Sequence, residues 1–544
     1  MFRNLTLNRG TNAAFGGGFV LAASSLHRYI NVLGAVATFA FLAMSVLSYM
    51  QAPALWDPAY APNATGFFNA LYGTEQVDAI RALFGGPLAV VVSHWVPLII
   101  ASASAVALLF LLSQNSTSVA ETTAMLVLKW SIAFTVVSSI AYPIFTQDFW
   151  LSVVWGDMIA SGINPYYEKF TPEMLNGLPL DHFPMTMSYG PLWALISGAV
   201  VAVCGGSVLA TAVLFKVALG AAWCGTLLLI DRIMRLTAPG TRALSLAVAG
   251  WVPLGVWQTA GEGHNDIAMA LPALLWLLLL LQNKWSAPLA LAASAVCKYT
   301  MAPLMLVDLL YWVKAREMPL WQYALRLIVP ALFSLAVLAA FYRSPQFFDG
   351  VRLISSWQFL QPSDAFAAIN TALGDWLAPL GHVVTAIFPA IAIHQCVMFW
   401  KRPDTEQLLR TSVAVMAAVS FAAISHLWPW YLIWTLPLVA LVPGWWLSRF
   451  ILGLAIFAPF TVIVWWVPEA EDYKDLAALV MYAGAAMWTL LTAREEEPSA
   501  EQVPNVIRHV DFIRVRSSEP AAVPVSVVAP RRQEMRVKSA AGEG

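Results

Sequence analysis

Charge is what this sequence has least of. Asp, Glu, Lys and Arg make up 11% of its 544 residues, against about 25% in a soluble globular protein. That shortfall excludes an ordinary water-soluble domain. The charges that exist nearly cancel, to a formal net of −1, so the overall balance points to no nucleic-acid partner. Cysteine is scarce too. Cys204, Cys224, Cys297 and Cys396 fall in apolar stretches, at spacings that match no zinc or redox motif, and read as core thiols. No G-x-x-x-x-G-K-[ST] loop appears, which argues against an ATP-driven pump. No serine–histidine hydrolase motif appears either. The first 28 residues lack the apolar run and cleavage site of a signal peptide, so the first helix reads as an uncleaved signal anchor.

What is abundant is apolar side chain, 59% of the total. A helix needs about 20 apolar residues to cross the hydrocarbon core, and about eleven to thirteen such runs are present, some of them candidate half-helices. The runs are continuous rather than alternating, which excludes a membrane barrel. The expected fold is therefore an all-α polytopic membrane protein. Its predicted parts are an N-terminal cytoplasmic segment, 1–28, a transmembrane domain, 29–493, and a polar, disordered cytoplasmic tail, 494–544. Three long outer loops, 50–87, 146–188 and 343–375, interrupt the membrane domain.

Orientation follows from Lys and Arg, which collect on the cytoplasmic side. Arg3, Arg9 and Arg28 favour a cytoplasmic N-terminus, and the arginines of the tail favour the same side. Loop 146–188 carries several acids and one lysine, which suits the outside. One conflict arises. If every run crossed, DRIMRLTAPGTR (231–242) would lie outside and GEGHND (261–266) inside, the reverse of the charge rule. Treating one run between 189 and 230 as re-entrant or broken removes the conflict and puts GEGHND outside, beside loop 146–188.

Against this background the isolated polar groups stand out. GEGHND sets Glu262, His264, Asn265 and Asp266 between two apolar stretches; it reads either as a hydrogen-bonded helix cap or as pocket lining. In TQDFWLSVVWGDMIASGINPYYEKF (146–170), Phe149, Trp150, Val153, Val154, Met158 and Ile159 recur at spacings of three and four, which predicts a helix along the membrane interface. Gly162 and Asn164-Pro165 would end it. Asp148 at its start is a helix cap or a general base. Lys298, in AVCKYTMAPLMLV, is alone in an apolar run and needs a partner, either a carboxylate such as Asp266 or an anionic ligand. Pro303 should break the helix just beyond it. In SHLWPWYLIWTLPL (425–438), the aromatics suit an interfacial belt, while His426 can donate to a phosphate. Tyr189 and Pro191 open the next helix in SYGPLWALIS (188–197). With Arg343 and Arg352, these groups suggest an acid-and-base constellation around an amphipathic cavity, suited to a substrate with a lipid tail, a phosphate and a sugar.

QDFWLSVVWGDMIASGINPYYE, followed by YGPLW, resembles the first large outer loop of the GT-C glycosyltransferases, integral membrane enzymes that take sugars from polyprenyl-phosphate donors. Their pattern is an aspartate, a G-x-N-P-Y segment and then Tyr-Pro-Pro-Leu; Gly190 replaces the first proline here. GHNDIAMA, CKYTMAPL and HLWPWYLIWTLPL look like later segments of the bacterial polyprenol-phosphate-mannose-dependent mannosyltransferases. The resemblance covers roughly residues 140–440. It implies a GT-C-like helical bundle with interfacial helices in its outer loops, in the plasma (inner) membrane with an extracytoplasmic site. It implies Asp148 as the base of an inverting displacement. Lys298, Arg343, Arg352 and His426 would hold the donor phosphate. Glu262, His264, Asn265, Asp266, Asp157 and Tyr189 would meet the sugar or acceptor. The partners would be a polyprenyl-phosphate-linked hexose donor (mannose favoured), a lipid or glycan acceptor and the bilayer, with no nucleic acid and no cofactor. No metal site is evident: Asp148 and Asp157 share the loop, but nine residues of helix would separate them by about 13 Å, too far for one divalent ion unless the chain bends. A non-catalytic transporter or flippase of lipid-linked sugars is the competing reading.

Overall fold

The computed structural model describes residues 21–55, 68–115, 121–175, 178, 180, 185–373 and 378–493. Most of segment 1–28 and all of the tail 494–544, both expected to be cytoplasmic, lie outside the described residues. Within them the chain is helical, with one isolated bridge between Phe359 and His426. This is what a spanning chain requires, because hydrocarbon offers no partner to an open backbone N–H or C=O.

The helices that frame the site are α1 (Ala23–Leu55), α2 (Pro87–Gln114), α3 (Glu121–Ser139), α4 (Asp148–Ala160), α5 (Pro191–Val203), α6 (Val208–Thr237), α7 (Arg242–Trp251), α8 (Ile267–Leu281), α9 (Ala287–Cys297) and α10 (Asp349–Ser355). Among the described residues, seven helices are long and apolar enough to cross a membrane: α1, α2, α3, α6, Leu320–Ala339, Val383–Lys401 and Trp446–Trp466. The pair Pro239–Trp251 and Pro253–Gly261, bent by 55°, makes an eighth if counted as one broken span. The runs expected at 189–205, 266–282 and within 286–313 are shorter helices, α5, α8 and α9. The chain is an all-α, multi-pass membrane protein.

α5 is the short run in the stretch where the orientation conflict arose. With 13 residues it spans about 20 Å at 1.5 Å per residue, too little to cross. The chain then turns at Gly205 and Gly206 and returns as α6. α6 has Lys216 near one end, its ammonium donating to the Gly261 carbonyl. Asp231 lies fifteen residues further on, about 22 Å along the axis. There Asp231 binds Arg235 (3.0 Å) and Arg242, and Arg235 reaches Glu121 (2.7 Å). GEGHND and the basic DRIMRLTAPGTR stretch therefore sit at opposite ends of one helix.

α4 departs from expectation. The helix forms where the spacing predicts it, but from Phe149 to Gly156 it is buried on every face. α5 packs along it, and Phe149 is covered by the GEGHND loop and by Phe215 of α6. It is not a half-exposed interfacial helix. It is a core element that carries Asp148 inward.

Candidate active site

Asp148, Tyr189, Lys298 and His426 line one cavity of about 1020 Å³. Its remaining wall is rich in tryptophan, with Trp155, Trp357, Trp428, Trp430, Trp434, Trp465 and Trp466. Trp428 stacks on Trp430 (4.7 Å between centroids, 12°) and packs against Trp465 (4.4 Å). The aromatics of 425–438 are therefore a cavity wall more than a lipid-facing belt: Trp430, Tyr431 and Trp434 are buried.

Lys298 ends α9 in an extended conformation (φ −153°, ψ 122°), before a single 3₁₀ turn, Tyr299–Met301. The break falls at Lys298 itself, five residues ahead of Pro303. A proline clashes with the carbonyl four residues back and disfavours helix at the residue before it, so the helix cannot run smoothly through 299–302. Nζ of Lys298 lies 2.6 Å from Oδ1 of Asp266. It also faces the rings of Tyr431 (4.7 Å), Trp434 (4.9 Å) and Tyr189 (5.1 Å). The expected carboxylate partner is Asp266, and the same lysine opens on the cavity. One charge is neutralised by one carboxylate, while the electron-rich ring faces favour the cation. The Trp434 indole N–H also donates to Asp266 (2.5 Å).

Asp148 is the first residue of α4; its own N–H donates to the Thr146 hydroxyl (3.0 Å), and its carboxylate takes no backbone N–H of the helix. The carboxylate lies close to the Tyr189 hydroxyl, which favours its charged form. Removal from bulk water pushes its pKa up to about 6, opposed by the positive charge of Lys298. His426 is also buried. Its Nε2 meets the Tyr431 hydroxyl at 3.1 Å and its Nδ1 the Ser425 hydroxyl at 3.3 Å. Burial, reinforced by the charge of Lys298, lowers its pKa to about 4. Held neutral in this way it brings no positive charge to the cavity, and its two ring nitrogens meet the Tyr431 and Ser425 hydroxyls.

The remaining expected site residues do not line the cavity. Glu262, His264 and Asp266 are completely buried and Asn265 nearly so, so a sugar in the cavity does not touch the first three. They form the layer behind its wall. Nδ1 of His264 meets the Gln258 carbonyl (3.0 Å), and its ring stacks on Trp430 (4.2 Å). The layer is shaped by a wide helical turn at Trp257–Gly261 and by Gly263, whose φ of +79° and contact with Phe149 leave no room for a side chain. Arg343 is exposed, with its backbone N–H on the Tyr167 hydroxyl (2.6 Å). Arg352 pairs with Asp349 (2.7 Å) in an exposed contact, while Val351, Ile354 and Ser355 of the same helix, α10, face the cavity. Residue type suited both arginines to phosphate, but the rotation of α10 turns Arg352 away. Asp157 is exposed, nine residues and about 13 Å along α4 from Asp148. Among the described residues no three or more His, Cys, Asp or Glu groups cluster as for a metal.

The G-x-N-P-Y segment builds the site rather than lining it. Asn164 donates to the Phe341 carbonyl (2.9 Å), Tyr166 donates to the Tyr189 carbonyl (2.8 Å), and the Met187 N–H reaches the Pro165 carbonyl (2.8 Å). These bonds hold Tyr189 beside Asp148. Gly190 continues the clamp. Its N–H donates to the Cys297 carbonyl (2.8 Å), and a Cβ there would stand 2.1 Å from the Val296 carbonyl oxygen. Proline, present at this position in the resembling pattern, would remove that donor. Gly190→Ala should force α9 and Tyr189 apart, at a cost of about 1–3 kcal/mol, and displace Lys298 from Asp148. A lower unfolding temperature with at least about tenfold slower turnover is expected, checked by thermal unfolding in detergent and a transfer assay.

Sequence reasoning passed over Lys216, Ser188, Tyr299 and Glu469. The last three line the cavity. Lys216 gave the same signal as Lys298, a lone charge inside an apolar run.

A multi-pass helical protein with a carboxylate and a caged cation on one aromatic cavity is built for glycosyl transfer at a membrane. Residues 31–316 match the family model described as alpha-(1->6)-mannopyranosyltransferase, N-terminal domain. That is just over half of the chain, and the chain belongs to this family. It is a glycosyltransferase, and its activity is mannosyl transfer. Comparison with curated proteins and with solved structures finds no match.

Proposed function

We propose that the enzyme moves mannose from a polyprenyl-phosphate donor to an acceptor hydroxyl by a single inverting displacement, at the extracytoplasmic face of the plasma membrane. The observation that carries this is the meeting of Asp148 and Lys298 on one cavity. The acceptor oxygen bonds to C1 of the mannose while the C1–O bond to the donor phosphate breaks with its electron pair. The acceptor proton passes to Asp148, as general base. The departing polyprenyl phosphate gathers charge against Lys298, with the Tyr189, Tyr299 and Ser188 hydroxyls nearby as further donors. Indole surface along the cavity wall suits the flat apolar side of a sugar ring. An outward-facing cavity is supported by α6, whose basic end is opposite its Lys216 end. No metal or cofactor enters this scheme, and the acceptor is a lipid or a glycan.

An inverting reaction that yields an alpha linkage requires a beta-linked donor. Membranes holding the enzyme should therefore turn over radiolabelled beta-mannosyl-phosphoryl-polyprenol and ignore the alpha anomer and free GDP-mannose. Equal use of both anomers would overturn the single displacement, and direct use of GDP-mannose would overturn the lipid donor.

The base must be ionised to act. With Asp148 raised to about 6, turnover should rise with pH through about 6 and level off above it. His426, neutral down to about 4, adds no step in that window. A pH–rate profile of kcat checks this, and a flat profile between pH 5 and 7 (roughly a tenfold rise is expected per unit below the pKa) would contradict it.

A further inference from the structure

The loop 261–266 holds both sides of the proposed reaction. At its far end Asp266 binds Lys298 (2.6 Å). At its near end Oε2 of Glu262 accepts the backbone N–H of Phe145 (2.9 Å), three residues before Asp148. Glu262 is completely buried. Its countercharge is Lys216 of α6, whose ammonium is seated on the carbonyl of the preceding residue, Gly261. Helix α6 lies against the other side of the same segment, with Phe215 packed on Phe149 (6.2 Å) and Trp193 (5.7 Å).

A buried carboxylate on a peptide N–H is an expensive fixture in a membrane protein. A neutral residue would serve if packing were its whole purpose. The segment it grips, 144–147, is irregular, joining the end of α3 to α4. Such a segment has no ladder of its own to fix it. Glu262 supplies that fixture four residues before Asp266 fixes the cation. We infer that Glu262, balanced by Lys216, is a positioning residue that sets the separation between Asp148 and Lys298.

This rests on Asp148 being the base, and the test separates the two claims. Full-length enzyme is reconstituted in vesicles and assayed with radiolabelled beta-mannosyl-phosphoryl-polyprenol, normalised to folded protein by thermal unfolding. Glu262→Ala should lower kcat about 100-fold, the loss that an ångström of misplacement brings, with KM for the donor changed less than about threefold. Glu262→Gln, which keeps an acceptor for the Phe145 N–H, should recover most of that loss. Lys216→Met/Glu262→Gln removes both charges together, so recovery there shows that geometry matters rather than charge. If Glu262 acts through Asp148, adding Glu262→Ala to Asp148→Asn should change kcat by less than about twofold. Full turnover per folded molecule in Glu262→Ala, or a loss confined to KM, overturns the inference. So does additivity with Asp148→Asn. Undiminished turnover in Asp148→Asn alone overturns the base assignment instead.

Discussion

Asp148→Asn should cut mannosyl transfer by about 10³- to 10⁴-fold, at the upper end of what a general base contributes. The amide keeps the shape of the carboxylate, so folding and donor binding should survive. What it cannot do is take the acceptor's proton. The defect should therefore fall on kcat, with KM for the donor little changed. The acid limb near pH 6 should vanish from the residual activity, because the group responsible for it is gone. Single-turnover assays in vesicles, run across pH 5 to 8, measure all three (about two units either side of the pKa are needed to see a limb). A residual activity that keeps the same limb would assign the proton transfer to another residue.

Lys298→Met should lower kcat by about 10²- to 10³-fold, the range found when one electrostatic donor is removed from a transition state. Methionine fills the ring cage of Tyr189, Tyr431 and Trp434 with similar volume but no charge. A second cost arises behind it. Asp266 is wholly buried and would lose its cation, and breaking a buried pair from one side costs about 3–5 kcal/mol. The single variant therefore mixes a catalytic loss with an unfolding one. Lys298→Met/Asp266→Asn separates them: the unfolding temperature should recover towards wild type while turnover stays low. Recovery of both would reduce Lys298 to a structural partner of Asp266, and the phosphate would need another cation.

The class of fold was legible in the run lengths, because hydrocarbon thickness and backbone hydrogen bonding leave few alternatives. Asp148, Lys298, His426 and Tyr189 were also legible, as polar groups out of place in apolar surroundings, and they do meet on one cavity. Rotation and cover were not legible. A spacing of three and four in 149–159 marks a helix but does not say that α5 and α6 cover its other faces. Arg352 has the right chemistry for phosphate, yet its direction depends on how α10 is turned. GEGHND was read as pocket lining because polar groups next to a cavity look alike from sequence, whether they face it or stand one layer behind. Gly190 was visible only as a departure from a familiar pattern; its reason, a backbone passing within contact of Val296, belongs to the folded chain.

Among the described residues seven tryptophans line the cavity, and one of them, Trp434, lies under the Lys298 ammonium. Part of the intrinsic emission therefore comes from this one chamber. A sugar settling against the cavity wall would expel water from its indoles, and a phosphate drawn to Lys298 would alter the field at Trp434. The enzyme carries its own optical reporter of occupancy, so donor and acceptor titrations can be followed without a label, even in variants that no longer turn over.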